Sequence, residues 1–433
     1  MSEEKIPKGW KKVKLAAECI FERGIEPGTK NYNTEGRGRR FIRVNDLTES
    51  REEIIFTEFK TDKILIEKDI AMSFDGTIGI VKRGLNGVYS AGIRKVYFKN
   101  REYSNDFLFY LLQDVRIHKI ISLYASGSTI KHAGSAIPHL EVEIPSSPLE
   151  QQKIADILSK VDEAIEQIEK IIAKHERIKK GLMQVLFTKG IDENGNIRSE
   201  KTHKFKDSPL GRIPEEWEVV ELGNKEYFEL KTGGTPSTER LEYWENGTVN
   251  WLSSGEVHKK RIYYTERKIT EKGYKYSNAT FIPIKSTLIA LAGQGKTRGT
   301  AAINEIELTT NQSVAAIIPN FSKICPYYLY HYIDNQYLTL RTISAGAGRA
   351  GLSLTILSKF NIKLPEIKEQ ERIANIFEKI DNTIEQESQN LAKLKNLKEG
   401  LMQDLLTGKV RVNHLIEENE NINKVGKAEV IKC

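Results

Sequence analysis

Apolar residues recur along two stretches of this chain in alternating steps of four and three. The first series is Ile154, Leu158, Val161, Ile165, Ile168 and Ile172, resuming at Leu182 and Leu186. The second is Ile373, Phe377, Ile380, Ile384, Leu391, Leu394, Leu401 and Leu405. Such spacing marks the seam of a helix that lies along another helix. Polar residues break both seams, at His175 and Lys179 in one and at Glu387 and Lys398 in the other. Roughly 40 residues at about 1.5 Å each make a rod of about 60 Å, longer than a small domain is wide. Two such rods in one chain most simply bury their stripes against each other. Elsewhere the apolar positions gather in short strand-like runs, FIRVNDL at 41–47 and KILIEKDIAMSF at 63–74, set between Gly-rich turns.

The pattern also occurs twice. Ile6-Pro7-Lys8-Gly9-Trp10 returns as Ile213-Pro214-Glu215-Glu216-Trp217, an offset of 207 residues. QQKIADILSKVDEAIEQ from Gln151 returns as QERIANIFEKIDNTIEQ from Gln370 at an offset of 219, held without a gap to Gly181-Leu182-Met183-Gln184 and Gly400-Leu401-Met402-Gln403. A duplicated chain presents two similar surfaces, suited to a target that itself has two parts. If the halves are twofold-related, the rods run antiparallel. Gly181 and Gly400 occupy matching positions inside the helices, where glycine costs about 1 kcal/mol relative to alanine. This implies either a close backbone approach there or fraying near the helix end.

These patterns divide the 433 residues into six pieces: 1–147, a mixed α/β region; 148–190, the first long helix; 191–212, a polar linker; 213–365, the second mixed region; 366–408, the second long helix; and 409–433, a polar tail. Hydrophobic content of 39% and charged content of 29% fit a soluble globular protein, with each half large enough for its own core. No run approaches eighteen apolar residues and MSEEKIPKGWKK lacks a signal-peptide core, so the expected location is the cytoplasm, with no membrane partner. Cys19, Cys325 and Cys433 form neither a disulfide framework nor a metal cluster. A net charge of +7 leans toward polyanionic partners.

Two variable regions, each followed by a long helix that opens on Glu-Gln-Gln or a near variant, resemble the specificity (S) subunit of type I restriction–modification enzymes. IPKGW and DSPLGRIPEEW resemble the openings of that family's target recognition domains. TGGTPS at 232–237, followed by YWENGTVNWLSSGEV at 243–257, resembles its domain-start motif. DGTIG at 75–79 is similar to its mid-domain turn, and TNQSVAAIIP at 310–319 to the strand that follows. GSTIKH at 127–132 and the junctions into LEQQKIADIL and EQERIANIF are similar to its run into the conserved helix. The resemblance implies an α+β fold: two tandem mixed α/β target recognition domains separated by two long helices. The helices would form an antiparallel coiled coil with internal pseudo-twofold symmetry. Its interface would comprise Ile154, Leu158, Val161, Ile165, Ile168, Ile172, Leu182, Ile373, Phe377, Ile380, Ile384, Leu391, Leu394 and Leu401.

It further implies that each domain reads one half of an asymmetric bipartite site on double-stranded DNA, while the helices space the half-sites and dock two methyltransferase (M) subunits. Motor-nuclease (R) subunits would join for restriction. S-adenosylmethionine, ATP and Mg would sit on those partners, with no cofactor and no catalysis on this chain. Two other classes compete: a coiled-coil scaffold that never touches DNA, and a self-sufficient nucleotide-dependent DNA enzyme. Against the enzyme, the chain lacks an Asn-Pro-Pro-Tyr-like loop, a Gly-rich turn suited to a methyl donor, and paired Cys and His at metal spacing. The eight histidines are scattered and read as surface or interface residues. Ala290-Leu-Ala-Gly-Gln-Gly295-Lys296-Thr297 approximates a phosphate-binding loop, yet no helical pattern follows it.

DNA readers should combine Lys and Arg for phosphates with Arg, Asn, Gln and short hydroxyls for base edges. Those chemistries select Arg37, Arg39, Arg40, Arg43, Asn45, Asp75, Thr77, Lys131 and His132 in the first region. In the second they select Ser253, Ser254, Lys259, Lys260, Arg261, Tyr274, Gln294, Lys296, Arg298 and Arg349.

Overall fold

The computed structural model describes residues 6–48, 53–293, 295–345 and 351–416. The chain forms two compact units, one from the segments through Glu169 and from Gln389 onward, the other from Lys170–Ser388. Among the described residues, no helix is long and apolar enough to cross a membrane.

In the first unit, Trp10–Lys14 pairs antiparallel with Glu141–Pro145. A four-stranded sheet runs in the order Cys19–Arg23, Ile93–Phe98, Ile70–Ser73 and Val81–Lys82. A five-stranded sheet runs Tyr32–Asn33, Ile55–Thr57, Arg39–Ile42, Gly87–Tyr89 and Ile64–Leu65, with a parallel pairing of Arg39–Ile42 against Gly87–Tyr89. Each strand-like run is therefore interrupted. FIRVNDL leaves its strand at Ile42 and closes into a 3₁₀ turn at Val44–Leu47, because the Asp46 carboxylate accepts from the Arg43 backbone N–H at 2.8 Å. KILIEKDIAMSF splits into Ile64–Leu65 and Ile70–Ser73, where Asp69 Oδ2 caps the Ile66 N–H at 2.8 Å.

The second unit repeats this plan. Glu218–Glu221 pairs antiparallel with Asn361–Leu364. One sheet runs Phe228–Thr232, Val314–Pro319, Thr287–Ala290, Ala301–Asn304 and Arg261–Ile262. The other runs Arg267–Ile269, Val249–Leu252, Leu308–Thr310 and Phe281–Ile282, again with one parallel pairing, Val249–Leu252 against Leu308–Thr310. The polar 191–212 stretch is more than a linker. Ile191 bridges Ile197, Phe205–Lys206 pairs with Ile213–Pro214, and Ile191 and Arg198 are buried.

The long helices span Pro148–Lys189 and Ile367–Leu406. Each opens on a buried Glu-Gln pair that the same contacts hold in each unit. Glu150 accepts from Trp10 Nε1 at 3.3 Å and from Arg411 Nε at 2.7 Å. Glu369 accepts from Trp217 Nε1 at 3.1 Å, from the Ile191 N–H at 2.9 Å and from Arg198 Nη1. Gln151 accepts from the Ser104 N–H and donates to the Pro145 carbonyl; Gln370 accepts from the Cys325 N–H and donates to the Pro365 carbonyl. Ser104 and Cys325 are N-caps, so each glutamine ties a long helix to the start of a shorter one. The long helices stop at Gly190 (φ +64°) and close to Gly408 (φ +70°). In the first unit Val412 lies in the core, so the polar tail docks at its start; residues 417–433 lie outside the described residues.

Burial along both helices follows the four–three spacing. In the first unit Ile154 and Leu158 are fully buried with Leu405 and Leu406, while Val161, Ile165, Ile168, Leu391, Leu394 and Leu401 are half-buried. In the second, Ile373 and Phe377 join a core with Leu186 and Phe187, while Ile172, Leu182, Ile380 and Ile384 are half-buried. The polar interruptions keep the same rhythm: His175, Lys179, Glu387 and Lys398 are all half-buried. Two make seam ion pairs, Lys398 with Asp162 at 2.7 Å in the first unit and Lys179 with Asp381 at 2.6 Å in the second. The offset of 219 maps Asp162 onto Asp381 and Lys179 onto Lys398, so the two pairs are one contact made twice with the helices exchanged. Gly181 and Gly400 do not mark a close approach: a Cβ on either would meet nothing within 4 Å.

His331 takes the place in its helix that Tyr110 takes in the first unit. Tyr110 Oη donates to Asp162 at 2.9 Å, whereas the fully buried His331 bonds Glu378 through Nε2 at 2.8 Å. Burial lowers the imidazole below its ordinary value despite that bond. Burial alone would raise Glu378, but hydrogen bonds from His331 and Arg261 leave its carboxyl below the usual range.

Replacing Glu369 by alanine strands Arg198 and Trp217 in the interior and should cost about 3–5 kcal/mol, read by urea unfolding of the full chain. Because the folded forms of His331 and Glu378 bind protons less readily than their unfolded forms, both add stability at neutral pH. That stability should fall below about pH 6.5 as His331 resists protonation, and further below about pH 4.5 as Glu378 does. His331→Tyr should flatten the upper part of this profile in calorimetry; an unchanged slope between pH 7 and pH 5.5 would rule the histidine out as its source.

Candidate nucleic-acid interface

In the first unit the segments singled out in the sequence converge. The loop after Ile70–Ser73 is held to the GSTIKH loop by a bridge between Asp75 and His132. His132 Nδ1 lies 2.7 Å from Asp75 Oδ1, and the Gly76 N–H donates to the Lys131 carbonyl at 2.8 Å. The 3₁₀ turn that carries Asn45 abuts the same loop, since a Cβ on Gly92 would stand 2.8 Å from Val44 and 3.3 Å from Asp75. Asn45, Thr77, Lys131 and His132 are exposed, and together with Asp75 they form one polar surface.

The arginine cluster divides. Arg37 and Arg39 are exposed, Arg37 pairing with Glu35 at 3.2 Å. Arg40 and Arg43 turn instead toward the buried Asp46, with Arg40 Nη2 at 2.8 Å from its carboxylate, and Arg43 also donates to the Glu53 carbonyl at 2.7 Å. Their first task is to neutralise a carboxylate beneath the turn.

In the second unit Ser253 caps the 3₁₀ turn Ser254–Lys259 through Glu256, the position that Arg43 and Asp46 fill in the first. Ser253 and Ser254 are half-buried. Lys259 pairs with Glu256 and Glu266, and Lys260 with Asp334. Arg261 and Tyr274 are half-buried, and each is engaged within the unit. Arg261 pairs with Glu305 and Glu378, and Tyr274 packs its ring 4.4 Å from that of Phe281. Sequence chemistry favours both for DNA, yet Arg261 sits beside two internal carboxylates and Tyr274 on an aromatic cluster.

The loop after Thr287–Ala290 carries an exposed Lys296 and a half-buried Arg298. Arg341 Nη1 holds it by donating to the Gly295 carbonyl at 2.6 Å, and Tyr337 Oη by donating to that of Lys296 at 3.0 Å. A strand, Ala301–Asn304, follows this loop, so no helix N-terminus is available to cradle phosphates. Gln294 and Arg349 lie outside the described residues.

Beside this loop is a groove of about 540 Å³ that the sequence reading missed, lined by Gly233, Thr235, Tyr276, Asn278 and Gln312 among others. Thr235 and Gln312 lie within the TGGTPS and TNQSVAAIIP runs, so their neighbourhood was legible although their role was not.

One cluster has metal-like geometry: ligand atoms of His331, Glu378 and Asp381 lie within 4.8 Å of one another. Arg261 already neutralises Glu378, and Lys179 neutralises Asp381. Two adjacent cations oppose a divalent ion, so this is a charge-balanced internal network. It also corrects the expectation that every histidine lies at the surface or an interface, since His331 is wholly buried in the core of its unit.

Comparison with known proteins matches two segments, residues 7–177 and 214–396, to the type I restriction modification DNA specificity domain. The chain is 28% identical over 444 residues to the type I restriction enzyme MjaVIII specificity subunit of Methanocaldococcus jannaschii, covering 95% of each. It is 30% identical over 307 residues to the putative MjaX specificity subunit of the same organism, covering 71% of this chain and 68% of that one. Among solved structures, the fold is similar to the type I restriction–modification S subunit from M. genitalium, with a TM-score of 0.63 at 17% identity, covering 94% of this chain and 98% of that one. The duplicated framework and both matched segments lead to one conclusion: this chain belongs to the family of type I restriction–modification DNA specificity domains, which it carries twice.

Proposed function

We propose that this chain is the DNA-reading specificity subunit of a type I restriction–modification complex, each recognition domain reading one half of an asymmetric bipartite site on double-stranded DNA. One observation carries the reading: matching backbone frameworks carry unlike side chains at matching places. Arg43 stands where the second unit has Ser253, and Asp75 follows Phe74 where Ala292 follows Leu291. Phe74 and Leu291 correspond because their N–H groups donate to the equivalent carbonyls of Gly92 and Ser313. Like frameworks with unlike surfaces suit two different half-sites joined in one protein.

The two long helices act as an antiparallel coiled coil with pseudo-twofold symmetry that sets the gap between half-sites. The exchanged ion pairs Asp162–Lys398 and Asp381–Lys179 support this, since one contact made twice with the helices swapped is what such symmetry produces. The exposed helix faces dock two methyltransferase subunits, and motor-nuclease subunits join for restriction. S-adenosylmethionine, ATP and Mg belong to those partners. The chain works in the cytoplasm and is not itself catalytic. The purified chain incubated with labelled methyl donor, ATP and DNA should therefore show no turnover; turnover without a partner would favour a self-sufficient enzyme.

Inserting or removing whole helical turns in both helices together should change the permitted gap and leave the half-site sequences intact. Mapping methylated adenines genome-wide, after co-expression with the neighbouring methyltransferase, reads both quantities at once. Altered half-site bases in the length variants would refute the spacer role.

A further inference from the structure

The groove in the second unit has the chemistry of a base reader rather than of a phosphate clamp. No charged side chain is among the described residues that line it. Its floor is backbone packed on backbone. A Cβ on Gly233 would stand 1.9 Å from the Thr310 carbonyl, and one on Gly234 would stand 2.8 Å from Asn278 Cβ, so only glycine lets these segments meet. Trp251 Nε1 fixes the second glycine by donating to its carbonyl at 3.1 Å.

Above that floor Gln312 and Asn278 are exposed, and Tyr276 is 62% exposed. Thr235 Oγ1 donates to Gln312 Oε1 at 2.8 Å. That bond uses one lone pair of the amide oxygen and orients the amide plane. The other lone pair and both N–H donors remain, the set that meets adenine N6 and N7 in the major groove. The Leu291 N–H donates to the Ser313 carbonyl at 2.8 Å, which ties the loop bearing Lys296 next to Gln312. A cation for the backbone and an amide for a base edge thus stand on neighbouring loops.

The first unit is built differently at this place. The Ser90 N–H donates to the Ile42 carbonyl as the Asn311 N–H donates to that of Leu252, so Ala91 occupies the position of Gln312. The Ala91 carbonyl accepts from Arg23 Nε at 3.3 Å and from Arg94 Nη1 at 2.6 Å, and no amide projects there.

We propose that Gln312, oriented by Thr235 and accompanied by Asn278, is a specificity-determining residue that reads an adenine in the half-site of the second recognition domain. This rests on the DNA-reading assignment above. The test is genome-wide mapping of methylated sites in cells that express the full chain, or its variants, with its methyltransferase partner. Gln312→Ala should relax discrimination at one A·T position of one half-site by about tenfold or more, leaving the other half-site unchanged. Gln312→Glu keeps the shape but offers only acceptors, and should move the preference at that position toward cytosine.

Unchanged specificity in Gln312→Ala, Gln312→Glu and Asn278→Ala would overturn the proposal, as would relaxed specificity spread over both half-sites. If the wild-type complex methylates no two-part site, the DNA-reading assignment fails and the proposal falls with it. That outcome is distinct, because it appears before any variant is made.

Discussion

In each unit the architecture depends on one carboxylate removed from water. A buried carboxylate is unfavourable unless hydrogen bonds and an opposite charge replace its hydration. Glu150 and Glu369 meet that demand with donors from distant parts of the sequence: the N–H of Trp10 or Trp217 and an arginine from beyond the end of a long helix. The next residue adds a second tie, because Gln151 or Gln370 caps the shorter helix through an N–H that would otherwise lack a partner. A long helix, a short helix, a tryptophan and the segment that follows the other long helix are thereby fixed at one point. The repeated Glu-Gln step is a structural joint, not a site of chemistry.

A joint of that kind lets the rest vary. A four-strand core of each sheet, a parallel strand pair, the capped 3₁₀ turn and the glycine packed against a neighbouring strand occur in each unit. What differs is what the framework presents. The first unit offers the Asp75–His132 bridge with Lys131 beside it, and exposed Arg37 and Arg39. The second offers a neutral groove lined by Gln312 and Asn278. Polar interactions in the interior hold the frame, while exposed polar groups remain free to meet a partner.

The second unit also ties the segment after its 3₁₀ turn to the second long helix. Arg261 lies directly after the turn Ser254–Lys259, and it reaches Glu378 on the second long helix, which His331 also meets. At the place of Glu378 the first helix carries Ser159, and at the place of His331 the first unit carries Tyr110. The two units therefore differ inside as well as at their surfaces.

The helices, their apolar stripes and the duplication were legible in the sequence because they rest on local periodicity and on repetition. A four–three apolar spacing exposes one face whatever the chain does elsewhere, and even the polar interruptions at Lys179 and Lys398 stay on that face. The direction of individual polar side chains was not legible. Arg261 and Tyr274 have the composition of DNA readers yet are engaged by Glu378 and Phe281, whereas Gln312 gains its groove only from glycines almost 80 residues earlier in the chain. Burial and pairing are decided by which distant segments pack together, and only the tertiary structure holds that information.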